Sequence, residues 1–124
     1  MLADVKTIEQ HNVRGLGVCT AITYQNENRI ENIDWLTNSQ VILQLKVLFE
    51  TYTPSVAKIG IVRDAEMLKS VTEFLVSGNK NIRIIWDPVI RSSSGFEFHK
   101  SENDWLVSLK NIFLFQIDVY QILF

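Results

Sequence analysis

The sequence predicts an α/β protein: a parallel β-sheet covered by helices, in a three-layer α/β/α arrangement. Two observations carry the prediction. Short apolar runs alternate along the chain with longer segments of helical apolar period. The joins between them hold Gly, Pro, Asn and Asp, residues that break or turn the backbone. Strands separated by helices at this spacing pair in parallel through right-handed crossovers. At 124 residues the chain is one domain or a fragment of one, with no internal repeat and no low-complexity linker.

Residues 3–12 read as the first helix, with Val5 and Ile8 on one face and Gly15 and Gly17 ending it. Residues 17–23 are a short apolar run of the kind found in strands buried on both faces. Residues 24–36 are rich in Asn and Glu and read as a polar loop. Thr37 and Gln40 have the spacing of a capping box, so the second helix opens there. Val41, Ile42, Leu45, Leu48 and Phe49 form its core stripe, and Pro54 breaks the chain beyond it.

Residues 56–61 are the second strand. Asp64 is placed to cap the third helix, whose Leu68, Val71, Phe74 and Leu75 face inward and which Gly78 stops. Residues 82–86 are the third strand, and residues 91–95 a Ser-rich loop closed by Gly95. A further helix starts at Ser101 or Asn103 and runs through Leu109. Residues 112–117 are the fourth strand.

Composition narrows the function. A net charge of −2 and a pI near 5.6 argue against a dedicated nucleic-acid binder, which would present a basic face. No apolar run reaches membrane-spanning length, and the first residues lack the pattern of a signal peptide. The lone Cys19 has no partner for an internal disulfide, which fits a reducing, cytoplasmic setting. His11 and His99 lie far apart with no ligand spacing, so neither a metal site nor a Ser-His-Asp arrangement can be argued.

Three strand ends carry polar or special clusters: Thr23-Tyr24-Gln25-Asn26, Lys58-Ile59-Gly60-Ile61 and Trp86-Asp87-Pro88-Val89. In a parallel sheet they share the carboxyl edge, where open α/β sheets bind ligands. The Gln25 amide donates and accepts at once, which suits the edge of a heterocycle. It equally suits a loop residue satisfying nearby backbone. Asp4 fits a ligand contact, and fits ordinary dipole stabilisation of a helix N-terminus just as well. Gly60 would let a ligand approach the backbone, or simply allow a turn. Asp87 before Pro88 is either a polar ligand contact or a plain strand-ending turn. The Ser92-Ser93-Ser94-Gly95 stretch lacks the lysine and pattern of a phosphate loop.

Taken together, Ala3-Asp4-Val5-Lys6-Thr7, Thr20-Ala21-Ile22-Thr23-Tyr24-Gln25-Asn26, Lys58-Ile59-Gly60-Ile61 and Asp87-Pro88-Val89-Ile90 followed by Ser94-Gly95 resemble the hydroxymethylpyrimidine/phosphomethylpyrimidine kinases of thiamine biosynthesis. These belong to the ribokinase-like superfamily. The resemblance implies a partial ribokinase-like fold over residues 1–124. It also implies ATP-dependent phosphorylation, with Mg²⁺, of 4-amino-5-hydroxymethyl-2-methylpyrimidine and its monophosphate. Asp4 and Gln25 would bond the aminopyrimidine, and Thr23, Ile61 and Val89 would line its pocket.

Two departures stand beside the match. The family's first strand and Gly-rich turn would precede Ala3, where only Met1 and Leu2 stand. Asp118 and Gln121 occupy the places of the Asn and Glu in a Thr-Pro-Asn-x-x-Glu segment that serves the nucleotide and Mg²⁺, making that site degenerate. The family's nucleotide-binding half has no counterpart in the sequence. Isolated, the chain is therefore expected to be inactive or to need a complementing chain. The apolar tail at residues 120–124 is expected to self-associate or to pair with such a partner. A complemented kinase, a non-catalytic pyrimidine-binding remnant and a truncated product without function all stay open.

Overall fold

The structure, a computed structural model, describes residues 2–87 and 117–119. The element order is α1 (Leu2–Gln10), β1 (Ala21–Gln25), β2 (Ile30–Trp35), α2 (Asn38–Phe49), β3 (Val56–Ile59), α3 (Ala65–Gly78), β4 (Arg83–Trp86) and β5 (Ile117–Val119). The architecture is α/β with a parallel sheet, as the alternation predicts. That sheet runs β3-β4-β5, with Ile59 opposite Trp86 and Trp86 opposite Val119.

Both predicted caps form. Thr37 Oγ1 accepts the Gln40 backbone N–H at 3.3 Å, and Gln40 Oε1 accepts the Thr37 N–H at 2.9 Å. This reciprocal pair satisfies two donors that a helix start leaves open. Asp64 Oδ1 accepts the Met67 N–H at 2.8 Å, while its Oδ2 takes the Arg63 Nε–H at 2.6 Å. Burial raises the pKa of Asp64. The bonds from Met67, Arg63 and the Glu66 amide outweigh it and hold the carboxyl below its usual range.

The two capped helices pack against the sheet through one core. Val41 and Leu45 of α2 meet Met67, Leu68, Val71 and Leu75 of α3, with Ile59, Ile84 and Trp86 from the strands. Phe49 and Phe74 meet edge to face, ring centroids 5.4 Å apart at 77°. Buried Thr72 satisfies its hydroxyl by donating to the Leu68 carbonyl at 2.8 Å.

Several sequence expectations are corrected. Residues 17–20 are not strand. β1 begins at Ala21 and lies outside the parallel sheet. It pairs antiparallel with β2, from Ala21 opposite Trp35 to Gln25 opposite Ile30. The stretch read as a polar loop is therefore half of a hairpin. Its turn is built by Asn26, whose Oδ1 accepts the N–H groups of Asn28 and Arg29 at 2.9 and 3.0 Å. That side chain replaces the backbone partners a loop would lack.

Helix α1 ends at Gln10 and the turn that follows it closes at Asn12, in the left-handed region at φ 57°, rather than at Gly15 or Gly17. Asn is one of the few side chains that tolerates this conformation. Gly78 is the last residue of α3, and the cap is Asn79 in extended conformation. The reason for glycine there is space: a Cβ at Gly78 would lie 2.5 Å from the Phe49 ring. The second strand ends at Ile59, so Gly60 and Ile61 follow it. The last described strand is Ile117–Val119; of the predicted strand 112–117 only Ile117 is described, and it is strand. Residues 88–116 and 120–124, including the Ser-rich loop, His99, the helix expected through Leu109 and the apolar tail, lie outside the described residues.

Candidate functional site

The parallel register of β3 and β4 fixes a shared carboxyl edge. The Asp87 N–H donates to the Ile59 carbonyl at 2.9 Å, extending the ladder one step past Trp86. Gly60, Ile61 and Asp87 therefore leave the sheet side by side, as the strand-end reading expects. An added Cβ at Gly60 would meet no described atom within 4 Å. Among the described residues the space in front of that backbone is open.

The first helix comes to this edge through charge. Lys58, on β3, sets its Nζ 2.9 Å from Asp4 Oδ1 and 3.5 Å from Asp87 Oδ2. Three residues far apart in sequence thus share one ammonium group. The hydrogen bond to Lys58 is the largest influence on Asp4 and holds its carboxyl below the usual range, against a smaller effect of burial. The bond to Asp4 likewise raises Lys58, against the opposing effect of burial.

The hairpin reaches the same edge through its base. Thr20 Oγ1 donates to the Ile61 carbonyl at 2.7 Å, and the Leu36 N–H donates to the Thr20 carbonyl at 3.0 Å. Just before it, the Gln44 amide of α2 grips Cys19 twice. Its Oε1 accepts the Cys19 N–H at 2.9 Å, and its Nε2 donates to the Cys19 carbonyl at 2.8 Å. A side-chain amide so placed does what a neighbouring strand would do for that residue. Cys19 Sγ donates to the Ala21 carbonyl at 3.1 Å.

From this base β1 carries Thr23, opposite Ile33, and Gln25, beside an irregularity in register between Tyr24 and Gln25. Such bulges re-aim the side chains next to them. Gln25 is exposed, and its side chain makes no hydrogen bond among the described residues. Its amide is free to donate and accept. Tyr24 is committed elsewhere: its hydroxyl donates to Asp34 Oδ2 at 2.7 Å.

Of the residues singled out from sequence, the structure brings Asp4 and Asp87 together and sets Ile61 on the same edge. Thr23 and Gln25 sit on a hairpin tied to that edge at Thr20. Asp118 falls inside β5, opposite Ile85, while Val89 and Gln121 lie outside the described residues. Lys58 is the residue that sequence reasoning passed over as a site member. The sign was there: a lysine in the apolar run Val56-Ala57-Lys58-Ile59 needs a partner for its charge. Among the described residues no group of three or more His, Cys, Asp or Glu is placed to hold a metal ion, and no helix is long and apolar enough to cross a membrane.

A family model described as phosphomethylpyrimidine kinase matches residues 1–119. A hydroxymethylpyrimidine/phosphomethylpyrimidine kinase of Aquifex aeolicus (strain VF5) is 32% identical over 118 residues, covering 95% of this chain and 45% of the relative. The protein of that name from Bacillus subtilis (strain 168) is 28% identical over 112 residues, covering 90% and 40%. A crystal structure of phosphomethylpyrimidine kinase from Clostridium difficile 630 superimposes with a TM-score of 0.68 at 30% identity, covering 83% of this chain and 44% of the other. The chain spans less than half the length of these relatives.

Proposed function

The chain belongs to the phosphomethylpyrimidine kinase family, and from that premise we propose that its carboxyl edge and hairpin build the pyrimidine side of such a kinase. The ligand is 4-amino-5-hydroxymethyl-2-methylpyrimidine or its monophosphate, in thiamine synthesis. The observation that carries the reading is the meeting at one edge of Asp4, Lys58 and Asp87, with Ile61 beside them and the hairpin of Gln25 fastened to Ile61.

In this reading the Gln25 amide takes the edge of the aminopyrimidine, accepting from the exocyclic amine and donating to a ring nitrogen. The Asp4 carboxylate accepts a second bond from the ligand. Thr23, Ile61 and Val89 supply walls. Losing one side of such a polar contact costs about 1–3 kcal/mol, since the ligand's group is left unpaired.

Kinase activity is proposed of the whole protein. ATP with Mg²⁺ would supply the phosphoryl group, and the residues nominated for them are Asp118 and Gln121. The residues of the carboxyl edge and hairpin take no step of the transfer itself. Their part is to bind the pyrimidine and orient its hydroxymethyl group. That is the contribution positioning makes to phosphoryl transfer.

Calorimetric titration of the chain with 4-amino-5-hydroxymethyl-2-methylpyrimidine tests this. Saturable binding is expected, weakened about tenfold or more by Gln25→Ala, with the helical circular dichroism unchanged because Gln25 is exposed. A folded chain that shows no saturable binding, or one that binds equally with Gln25→Ala, overturns the reading.

A further inference from the structure

We propose that Lys58 is a positioning residue of this site, its ammonium group tying the Asp4 carboxylate to Asp87 so that helix α1 presents Asp4 at the strand ends in one orientation. This rests on the pyrimidine reading and extends it to a residue with no assigned role.

The geometry asks for such a group. Asp4 comes from the first turn of α1, Lys58 from β3, and Asp87 from the end of β4. The ladder that joins Ile59 to Trp86 and to the Asp87 N–H fixes Lys58 and Asp87 relative to one another. Asp4 has no such ladder, because α1 is not a sheet element. The 2.9 Å bond to Lys58 Nζ joins it to the edge. An ammonium group has three donors, so holding two carboxylates leaves one to spare.

Stability alone is a poor account of the trio. The side chains of Lys58, Asp4 and Asp87 are 39%, 50% and 24% exposed. Ion pairs with that much water contribute little to folding. Orientation is a different matter, since a ligand contact fails when its partner swings away. Without Lys58 the two carboxylates would also share the edge uncompensated, and like charges disfavour each other's ionised form. The charged groups acting on Asp4 are Lys58 and, more weakly, the chain's terminal amine. Asp87 faces it across Lys58.

The test uses the full chain, Lys58→Met and Lys58→Arg. Carboxyl NMR follows the titration of Asp4 without ligand, and calorimetry gives the affinity for the aminopyrimidine. Lys58→Met is expected to raise the Asp4 midpoint toward the ordinary carboxylate range and to weaken binding about tenfold. Lys58→Arg restores most of both, which a lysine needed only for packing would not predict. Should Lys58→Met fail to fold, Asp87→Asn takes its place and is expected to weaken binding by a smaller factor. Wild-type binding that neither variant alters overturns the positioning role. A wild-type chain that binds no pyrimidine overturns the reading beneath it, and the Asp4 midpoint then reports whether the tether itself exists.

Discussion

The α2–α3–sheet body and the β1–β2 hairpin are built on opposite terms. The body buries Met67 and Leu68 completely and closes its helices with caps at Thr37 and Asp64. The hairpin contributes no residue to the buried core, and exposes Ile22 and Tyr24 by half or more. Among the described residues its base is held by hydrogen bonds from Cys19 to Gln44 and from Thr20 to Ile61, with Val18 and Leu36 packed against the core. A two-stranded ribbon with so little burial is marginal by itself in water. The difference teaches where stability and recognition are separated. Asp87 and Lys58 leave a rigid sheet, whereas Gln25 rides on an element that opens at low cost.

Three substitutions sharpen that contrast. The largest effect is expected in the body. Leu68→Ala, at a fully buried position, should lower unfolding free energy by about 2–5 kcal/mol, through lost burial and the cavity left behind. Urea titration measures it. A loss below about 1 kcal/mol would show that the core around Leu68 is loosely packed.

Intermediate in size is the cap. Asp64→Ala should cost about 1 kcal/mol at pH 7. Its pH dependence has a definite sign. The carboxyl of Asp64 is lowered in the folded chain, so its contribution is present above the unfolded pKa of about 4. It is lost as pH falls through the lower folded value. The stability gap between wild type and Asp64→Ala should therefore close in acid. A gap that does not narrow as pH falls below the ordinary carboxylate range would break the assignment of the cap to a carboxylate.

The smallest effect is expected on the hairpin. Tyr24→Phe removes the bond to Asp34 between two exposed side chains and should change stability by less than about 0.5 kcal/mol. Amide exchange in β1 and β2 should be fast in both proteins. Protection of Ile22–Gln25 amides equal to that of α3 would erase the contrast between the two regions.

Much of the body was legible in sequence because its signals are local. Thr37 with Gln40, Asp64 three residues before Met67, and apolar residues at helical period each act within a turn or two. The strand end at Trp86 was legible for the same reason, whereas the second strand was read two residues past its end at Ile59; the alternation of both with helices implied the parallel pairing that forms. The hairpin was not legible, because Ile30-Glu31-Asn32-Ile33-Asp34-Trp35 is half exposed and carries no clean alternation. Asn26, whose side chain builds the turn, was read as part of a polar strand-end cluster and not as the start of a hairpin turn.

The sequence by itself determined the α/β class, both helix caps, the core stripe of α3 and the family. Those depend on backbone satisfaction and side-chain period, which neighbours in the chain decide. Tertiary structure alone decided that β1 pairs with β2 and that Gly78 is small because Phe49 crosses it. It alone decided that Lys58 joins Asp4 to Asp87. Each of these is a meeting of residues distant along the chain, and such meetings are set by how elements pack.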